Sequence, residues 1–215
     1  MDNDDRAKSE APEHEWSAAS PHVFPALRPV GAQGVLLSEL DPAQLSQEGQ
    51  KKHALALLDP GPAGLSVVYV LRTAAYDVVI NADHLLTWGI APKVLRETAM
   101  ANLRGWSDGA PWTDEVAEGR HLLSSDSGEG NDAARILIPE ARQHIAGECG
   151  GPGRILVALP DRDLLVAGSL SPSDAEFAGQ FEAFVGQVTE DAHEPIDGRV
   201  FELVGDQLDL VPFAT

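Results

Sequence analysis

Three pairs of short apolar runs, each pair joined by only a few residues, constrain this chain more than any other feature. Ile155-Leu156-Val157-Ala158-Leu159 and Leu164-Leu165-Val166-Ala167-Gly168 flank the turn Pro160-Asp161-Arg162-Asp163. Leu65-Ser66-Val67-Val68-Tyr69-Val70-Leu71 is separated from Tyr76-Asp77-Val78-Val79-Ile80 by residues 72–75, and Arg199-Val200-Phe201-Glu202-Leu203 from Gln207-Leu208-Asp209-Leu210-Val211 by a turn at Gly205-Asp206. Runs this short, rich in β-branched and aliphatic residues, read as strands. Parallel neighbours need a crossover of a dozen or more residues, so each pair is an antiparallel hairpin.

Helix signals fall between the hairpins. Asn81 is placed to cap a short helix through Trp88 that Gly89 closes. Pro92 opens the next helix at its first turn, and Leu95, Ala99 and Leu103 mark its buried face at a spacing of four. Asp132 starts a helical stretch to Cys149 that Pro139 must interrupt. Ser171-Pro172-Ser173-Asp174 then offers a cap at Ser171, a proline and an acid before Phe177, Phe181, Phe184, Val185 and Val188, which share one stripe. The order is β-β-α-α followed by α-β-β-α-β-β. The fold class is therefore α+β, a largely antiparallel sheet built from hairpins with helices packed on it.

The remaining segments are weaker in pattern. Residues 1–20 are polar and acidic and are expected to be a disordered tail. Residues 23–30, punctuated by Pro25 and Pro29, suit an edge strand. A helix is expected near residues 42–50. Residues 105–131, rich in Gly, Ser, Asp and Trp, read as a long loop. On this reading residues 21–215 form a single domain.

Charge narrows the partners. The 215 residues include 34 acidic and 15 basic ones, a formal net charge of −19, and the segment 171–215 carries ten acids and one base. Nucleic acid needs a basic footprint to release counterions, and the longest one here is Lys51-Lys52, so neither nucleic acid nor an anionic membrane surface is an expected partner. The single cysteine, Cys149, excludes an internal disulfide and cysteine-based zinc sites. The acidic N-terminus has no apolar core of a signal peptide, and no run approaches the roughly 20 apolar residues of a membrane span. A cytoplasmic protein is expected.

Several of these segments resemble one family. Residues 65–71, Asn81-Ala82-Asp83-His84-Leu85 with Trp88-Gly89-Ile90, and Leu95 through Ala101-Asn102-Leu103 are similar to the uncharacterised YtpQ-like bacterial proteins. So are Asp132-Ala133-Ala134-Arg135-Ile136-Leu137-Ile138-Pro139-Glu140 and Val157-Ala158-Leu159-Pro160-Asp161-Arg162-Asp163-Leu164-Leu165. The resemblance spans roughly residues 22–210, matches poorly over 31–60 and 105–131, and departs at Thr73, where an acid is common. It implies a shared α+β domain of the bacterial cytosol and no particular activity.

Two places have chemistry to offer. Arg162, between Asp161 and Asp163 at a hairpin tip, can hold a carboxylate or phosphate bidentately, or can close the turn as a local ion pair. Trp106 and Trp112, six residues apart, can line a recognition surface or cap the core. Elsewhere the motifs are missing. His14, His22, His53, His84, His121, His144 and His193 form no HxxxH or HxH pair, and Glu140 with His144 is a helical i,i+4 contact. Residues 147–153 are glycine-rich but precede a strand, so they fit neither a dinucleotide fingerprint nor a P-loop. Gly64-Leu65-Ser66 lacks the second glycine of a nucleophile elbow, and Cys149 reads as a buried structural thiol. No cofactor and no metal are expected. The leading expectation is a non-catalytic, acidic protein-binding or accessory protein, of which an inhibitor or immunity-type protein facing a basic partner is one form. The alternative is a hydrolase-like enzyme whose site assembles around residues 160–163 and His84.

Overall fold

Val157, Leu159, Leu165 and Ala167 are fully buried, and so are Leu156 and Ala158, which alternate with them. Strands that bury both faces must lie in the middle of a covered sheet, which is why these two runs read as continuous apolar stretches. In the computed structural model, which describes residues 14–40, 54–73, 76–117, 120–151, 153–171 and 174–211, they are the central strands of a six-stranded sheet. The expected helix near 42–50 lies outside the described residues, as do positions 1–13 of the expected tail. The chain, read above as one domain over 21–215, divides into two compact units. The first takes the described residues of Met1–Pro25, Gln33–Asp59 and Val67–Asn102, and the second those of Ala26–Ala32, Pro60–Ser66 and Leu103–Thr215.

The first unit holds most of a five-stranded sheet. Strand β1 (Val23–Arg28) stands at its edge beside β4 (Ser66–Arg72), followed by β3 (Leu57–Pro60) and β2 (Val35–Leu36), while β5 (Asp77–Val79) pairs with β4. The β4–β5 pairing is antiparallel, with Val70 opposite Val79, as the short connection requires. Helix α2 (Ala82–Trp88) is capped as its sequence signals. The Asn81 side chain accepts from the His84 backbone N–H, His84 Nδ1 accepts from the Asn81 N–H, and Gly89 closes the helix at φ 64°. Helix α3 (Pro92–Gly109) begins in this unit and buries Leu95, Ala99 and Leu103 completely. Asp59 accepts two hydrogen bonds from Arg96, at 2.7 and 2.6 Å, and one from the Tyr69 hydroxyl. Burial, followed by that carboxylate, holds the Tyr69 hydroxyl well above its ordinary pKa.

Residues 14–20 depart from the expected tail. Trp16–Ala19 form a short helix, α1, in which Ala19 is fully buried and the Trp16 ring lies 5.4 Å from that of Trp88. The Asn102 amide donates to the Ser20 and Val23 carbonyls at 2.7 and 2.8 Å, tying the segment to α3. One tryptophan and one alanine are enough, once a distant amide supplies the anchor.

The second unit is the six-stranded sheet, in the order β11-β10-β8-β9-β7-β6, with every neighbour antiparallel. Its strands are β6 (Thr113–Ala117), β7 (Arg120–Ser125), β8 (Arg154–Asp161), β9 (Leu164–Leu170), β10 (Pro195–Val204) and β11 (Gln207–Leu210). The expected loop over 105–131 is therefore mostly regular. Helix α3 runs on to Gly109, and β6 and β7 make a hairpin with Val116 opposite His121. Strand β6 is polar because it is an edge, where an apolar strand would invite pairing with another chain. Pro139 interrupts the next stretch as expected, separating a 3-10 segment (Ala133–Leu137) from α4 (Pro139–Glu148).

Helix α5 (Ala175–Asp191) packs on β10 and β8, with Phe177, Phe181 and Val185 in the core. Two details of this helix differ from expectation. The cap is Asp174, which accepts from the Phe177 N–H at 3.0 Å, and not Ser171. Phe184, expected in the buried stripe, is 46% exposed.

Candidate functional site

The turn at residues 160–163 is closed by a neighbour that is distant in sequence. Arg162 Nη1 donates to Glu194 Oε1 at 3.0 Å, and Arg28 Nη1 donates to Glu194 Oε2 at 3.3 Å, so one carboxylate joins two arginines. Asp161 spends its oxygens on backbone N–H groups, accepting from Asp163 at 2.9 Å and from Glu194 at 3.1 Å. The Arg162 carbonyl accepts from the Ala133 N–H, and its own N–H donates to the Glu194 carbonyl. Gly130, at φ 74°, lets the guanidinium lie against the backbone: a Cβ there would sit 2.8 Å from Arg162 Nε. Burial raises the Asp163 carboxyl above its usual range, while Arg162 acts in the opposite direction. Arg162 is thus engaged by Glu194 and lies against Gly130, and its charge also acts on the flanking Asp163. His84, the distant partner weighed for this turn, lies in the first unit and caps α2.

Arg162→Ala is expected to cost about 1–2 kcal/mol of stability and Arg162→Lys less, because the pair is partly solvated and a point charge still reaches Glu194. Chemical denaturation of the three proteins checks this. A lysine variant as weak as the alanine one would mean that the planar fork itself is needed.

The two tryptophans are brought together around a third residue that the sequence did not mark. Arg135 is 2% exposed, and its guanidinium lies over the Trp112 ring at 3.8 Å and the Trp106 ring at 5.7 Å. All of its donors are used. Nε donates to Ser107 Oγ at 3.0 Å, Nη1 to Ser125 Oγ and the Pro111 carbonyl at 2.8 and 3.1 Å, and Nη2 to the Ser107 and Ala110 carbonyls at 3.1 and 3.4 Å. Ser125 passes the contact on by donating to Asp132 at 2.6 Å. Burial pushes the Arg135 pKa down to about 10, with Asp132 opposing, so the group remains a cation at neutral pH. The outer edges of the tryptophans are also held: Trp106 Nε1 donates to Glu129 at 2.6 Å, and the Trp112 ring lies 5.0 Å from that of His144, tilted by 40°. These rings clamp a buried cation.

The largest hollow among those described lies on the other face of the sheet. A helix is about 10 Å wide, whereas six strands at about 4.8 Å spacing span more than twice that. Seated on β10 and β8 with its phenylalanines reaching over β9, α5 leaves the β7-β6 side of that face open. The result is a groove of about 580 Å³, floored by Leu122, Leu164 and Val166, walled by Phe177, Phe181, Phe184 and Val188, and edged by Glu115 and Asp126. Phe184 and Val188 also border a second hollow of about 390 Å³, whose other lining includes Asp161, Asp191 and His193. Phe184 is therefore the ridge between an apolar groove and an acidic one. The outer surface of α5 adds exposed carboxylates at Glu176, Glu182, Glu190 and Asp191. Of the expected site residues, only Asp161 borders either hollow.

Cys149 is buried, and its thiol is pushed up to about 11, first by burial and then by Asp114 and Glu148, which suits a structural thiol. Among the described residues, Asp114, His121 and Glu148 are a set that brings three metal-ligating donor atoms together. No helix among the described residues is long and apolar enough to cross a membrane. No family model matches the chain, and no curated protein or solved structure does either.

Proposed function

We propose that this is a non-catalytic binding protein whose α5 face takes a basic, amphipathic segment of a protein partner. The observation that carries the reading is Phe184: a large aromatic side chain left 46% exposed between an apolar groove and a hollow bordered by Asp161 and Asp191. An apolar anchor from the partner would fill the groove against Phe181 and Phe184. Lysine or arginine residues beside that anchor would meet Glu115, Asp126, Asp161 and Asp191. The acid-rich C-terminal segment supports the same choice, since charge of one sign steers partners of the other and rejects its own kind. Cytoplasmic residence and kinship with the YtpQ-like proteins belong to this proposal. An inhibitor or immunity-type role is its most specific form.

Selection of random peptides on the immobilised protein tests the reading. Enriched peptides are expected to combine aromatic or aliphatic anchors with Lys or Arg, and their binding is expected to weaken as salt rises. Phe184→Asp is expected to reduce affinity by about thirty-fold, equivalent to about 2 kcal/mol, the scale of an interface hot spot. Its folding stability is expected to change by less than about 0.5 kcal/mol, because the ring is already half in water. Enrichment of acidic peptides, or binding indifferent to Phe184→Asp, would overturn the proposal.

A further inference from the structure

Asp114, His121 and Glu148 come from three different elements, yet one donor atom of each lies within 4.8 Å of the other two. Asp114 stands on β6 and His121 on β7, two pairs apart in the hairpin ladder: Val116 opposes His121, Asp114 opposes Leu123, and Glu115 opposite Leu122 lies between. Side chains alternate along a strand, so the two share one face of the hairpin, with His121 Nε2 against an Asp114 carboxylate oxygen. Glu148 is the last residue of α4. A carboxylate there faces the negative end of the helix dipole, and it stands beside a second carboxylate. Among the described ion pairs, Asp114 is joined to His121 and to neither lysine nor arginine, and Glu148 appears in none. Two carboxylates and a helix C-terminus thus converge on one imidazole.

We infer that Asp114, His121 and Glu148 form a binding site for one divalent transition-metal ion of the zinc, cobalt or manganese class. Bonds of about 2.0–2.2 Å to nitrogen and oxygen donors set neighbouring ligand atoms about 3–4 Å apart, within reach of the observed spacing after small side-chain rotations. The imidazole nitrogen selects against calcium and magnesium, which favour all-oxygen shells, and the absence of a thiolate among the three selects against soft ions such as Cu(I). Two carboxylates neutralise the ion. Because Asp114 and Glu148 are exposed, water completes the coordination. Binding replaces the His121–Asp114 contact with two metal bonds, so a neutral imidazole is the ligand. The ion would tie the edge hairpin to the end of α4. Glu115 and Leu122, which line the α5 groove, point to the opposite face of the same hairpin, so this site and the proposed partner face can fail independently.

The test uses the full chain, freed of metal with a chelator and titrated with Co²⁺ alone and then with Zn²⁺ alone. One equivalent of Co²⁺ is expected to bind with visible d–d bands, which Zn²⁺ abolishes and which Ca²⁺ or Mg²⁺ at the same concentration leaves intact. His121→Ala, Asp114→Asn and Glu148→Gln are each expected to weaken Co²⁺ binding at least about ten-fold, since losing even an outer-shell partner of a metal ligand costs that much. Zn²⁺ is expected to raise the thermal midpoint of the wild type and to leave that of His121→Ala unchanged. Without metal, Asp114→Asn and Glu148→Gln are expected to unfold at the wild-type temperature or above it, because each relieves repulsion between the two carboxylates. Absence of stoichiometric binding to the wild type, or Co²⁺ affinity unchanged in His121→Ala, would overturn the site.

Discussion

Replacing Arg135 by alanine is expected to destabilise the second unit by about 3–5 kcal/mol, the cost of breaking a buried charged network from one side. The loss is not that of the guanidinium alone. Its departure takes the donors from the Ser107, Ala110 and Pro111 carbonyls, and a buried acceptor such as that of Ser107 costs about 1–3 kcal/mol when left unpaired. It also removes the flat cation between Trp106 and Trp112. Lysine cannot reproduce five donors in one plane, so Arg135→Lys is expected to recover less than half of the difference. Urea unfolding of the three proteins measures this. A loss below about 1 kcal/mol for the alanine variant would mean that water enters and satisfies the carbonyls, and that the tryptophans do not depend on the cation.

Arg135 also shows where sequence reading stops. A charged residue inside Ala133-Ala134-Arg135-Ile136 reads as surface, because arginine is rarely fully buried unless paired. Its partners sit 10 to 28 residues away, at Ser107, Pro111 and Ser125, so no local pattern marks it. Trp106 and Trp112 were legible as a pair with a purpose, but the purpose was hidden with the arginine. Hairpins and caps were legible because their causes are local: β-branched runs, a short turn, and Asn81 and Gly89 at either end of α2. Strands β6 and β7 were lost for a physical reason. An edge strand need not be apolar, and Thr113-Asp114-Glu115 carries the composition of a loop. Gly105 misled in the same region, since helix-interior glycine costs only about 1 kcal/mol and packing around Leu103 and Ser107 outweighs it. The turn at 160–163 was legible as an arginine between two acids, but the carboxylate its guanidinium donates to, Glu194, lies 32 residues onward. The Asp114, His121 and Glu148 cluster has the same character: histidine spacing in the sequence carries no trace of a site that two strands and a helix assemble.

The aromatic stripe of α5 separates the two roles of one helix. At about 100° per residue, Phe177, Phe181 and Val185 advance steadily to one side, while Phe184 falls at the opposite margin of the stripe. The sheet meets the first three, and Phe184 stands at the exposed margin of the groove that Phe177 and Phe181 also wall. Phe181→Ala is therefore expected to cost about 3–5 kcal/mol, the range for emptying a buried aromatic site, whereas Phe184→Ala is expected to cost less than about 1 kcal/mol. The strand beneath has little means of closing the gap. Gly168 on β9 has no side chain, and a Cβ placed there would lie 3.3 Å from both the Phe177 and Phe181 rings, so the glycine exists to let those rings rest on the backbone. Removal of one ring leaves a void between a strand and Phe177, whose ring centroid lies 6.0 Å from that of Phe181, and filling it would require Phe177 or Leu122 to repack. Denaturant unfolding of both variants reads the difference directly. Equal losses at positions 181 and 184 would place both rings in the core and remove the exposed ridge on which partner binding is argued. A small loss at both would mean that α5 as a whole is held weakly, and that its apolar face, not its margin, is the surface offered to a partner.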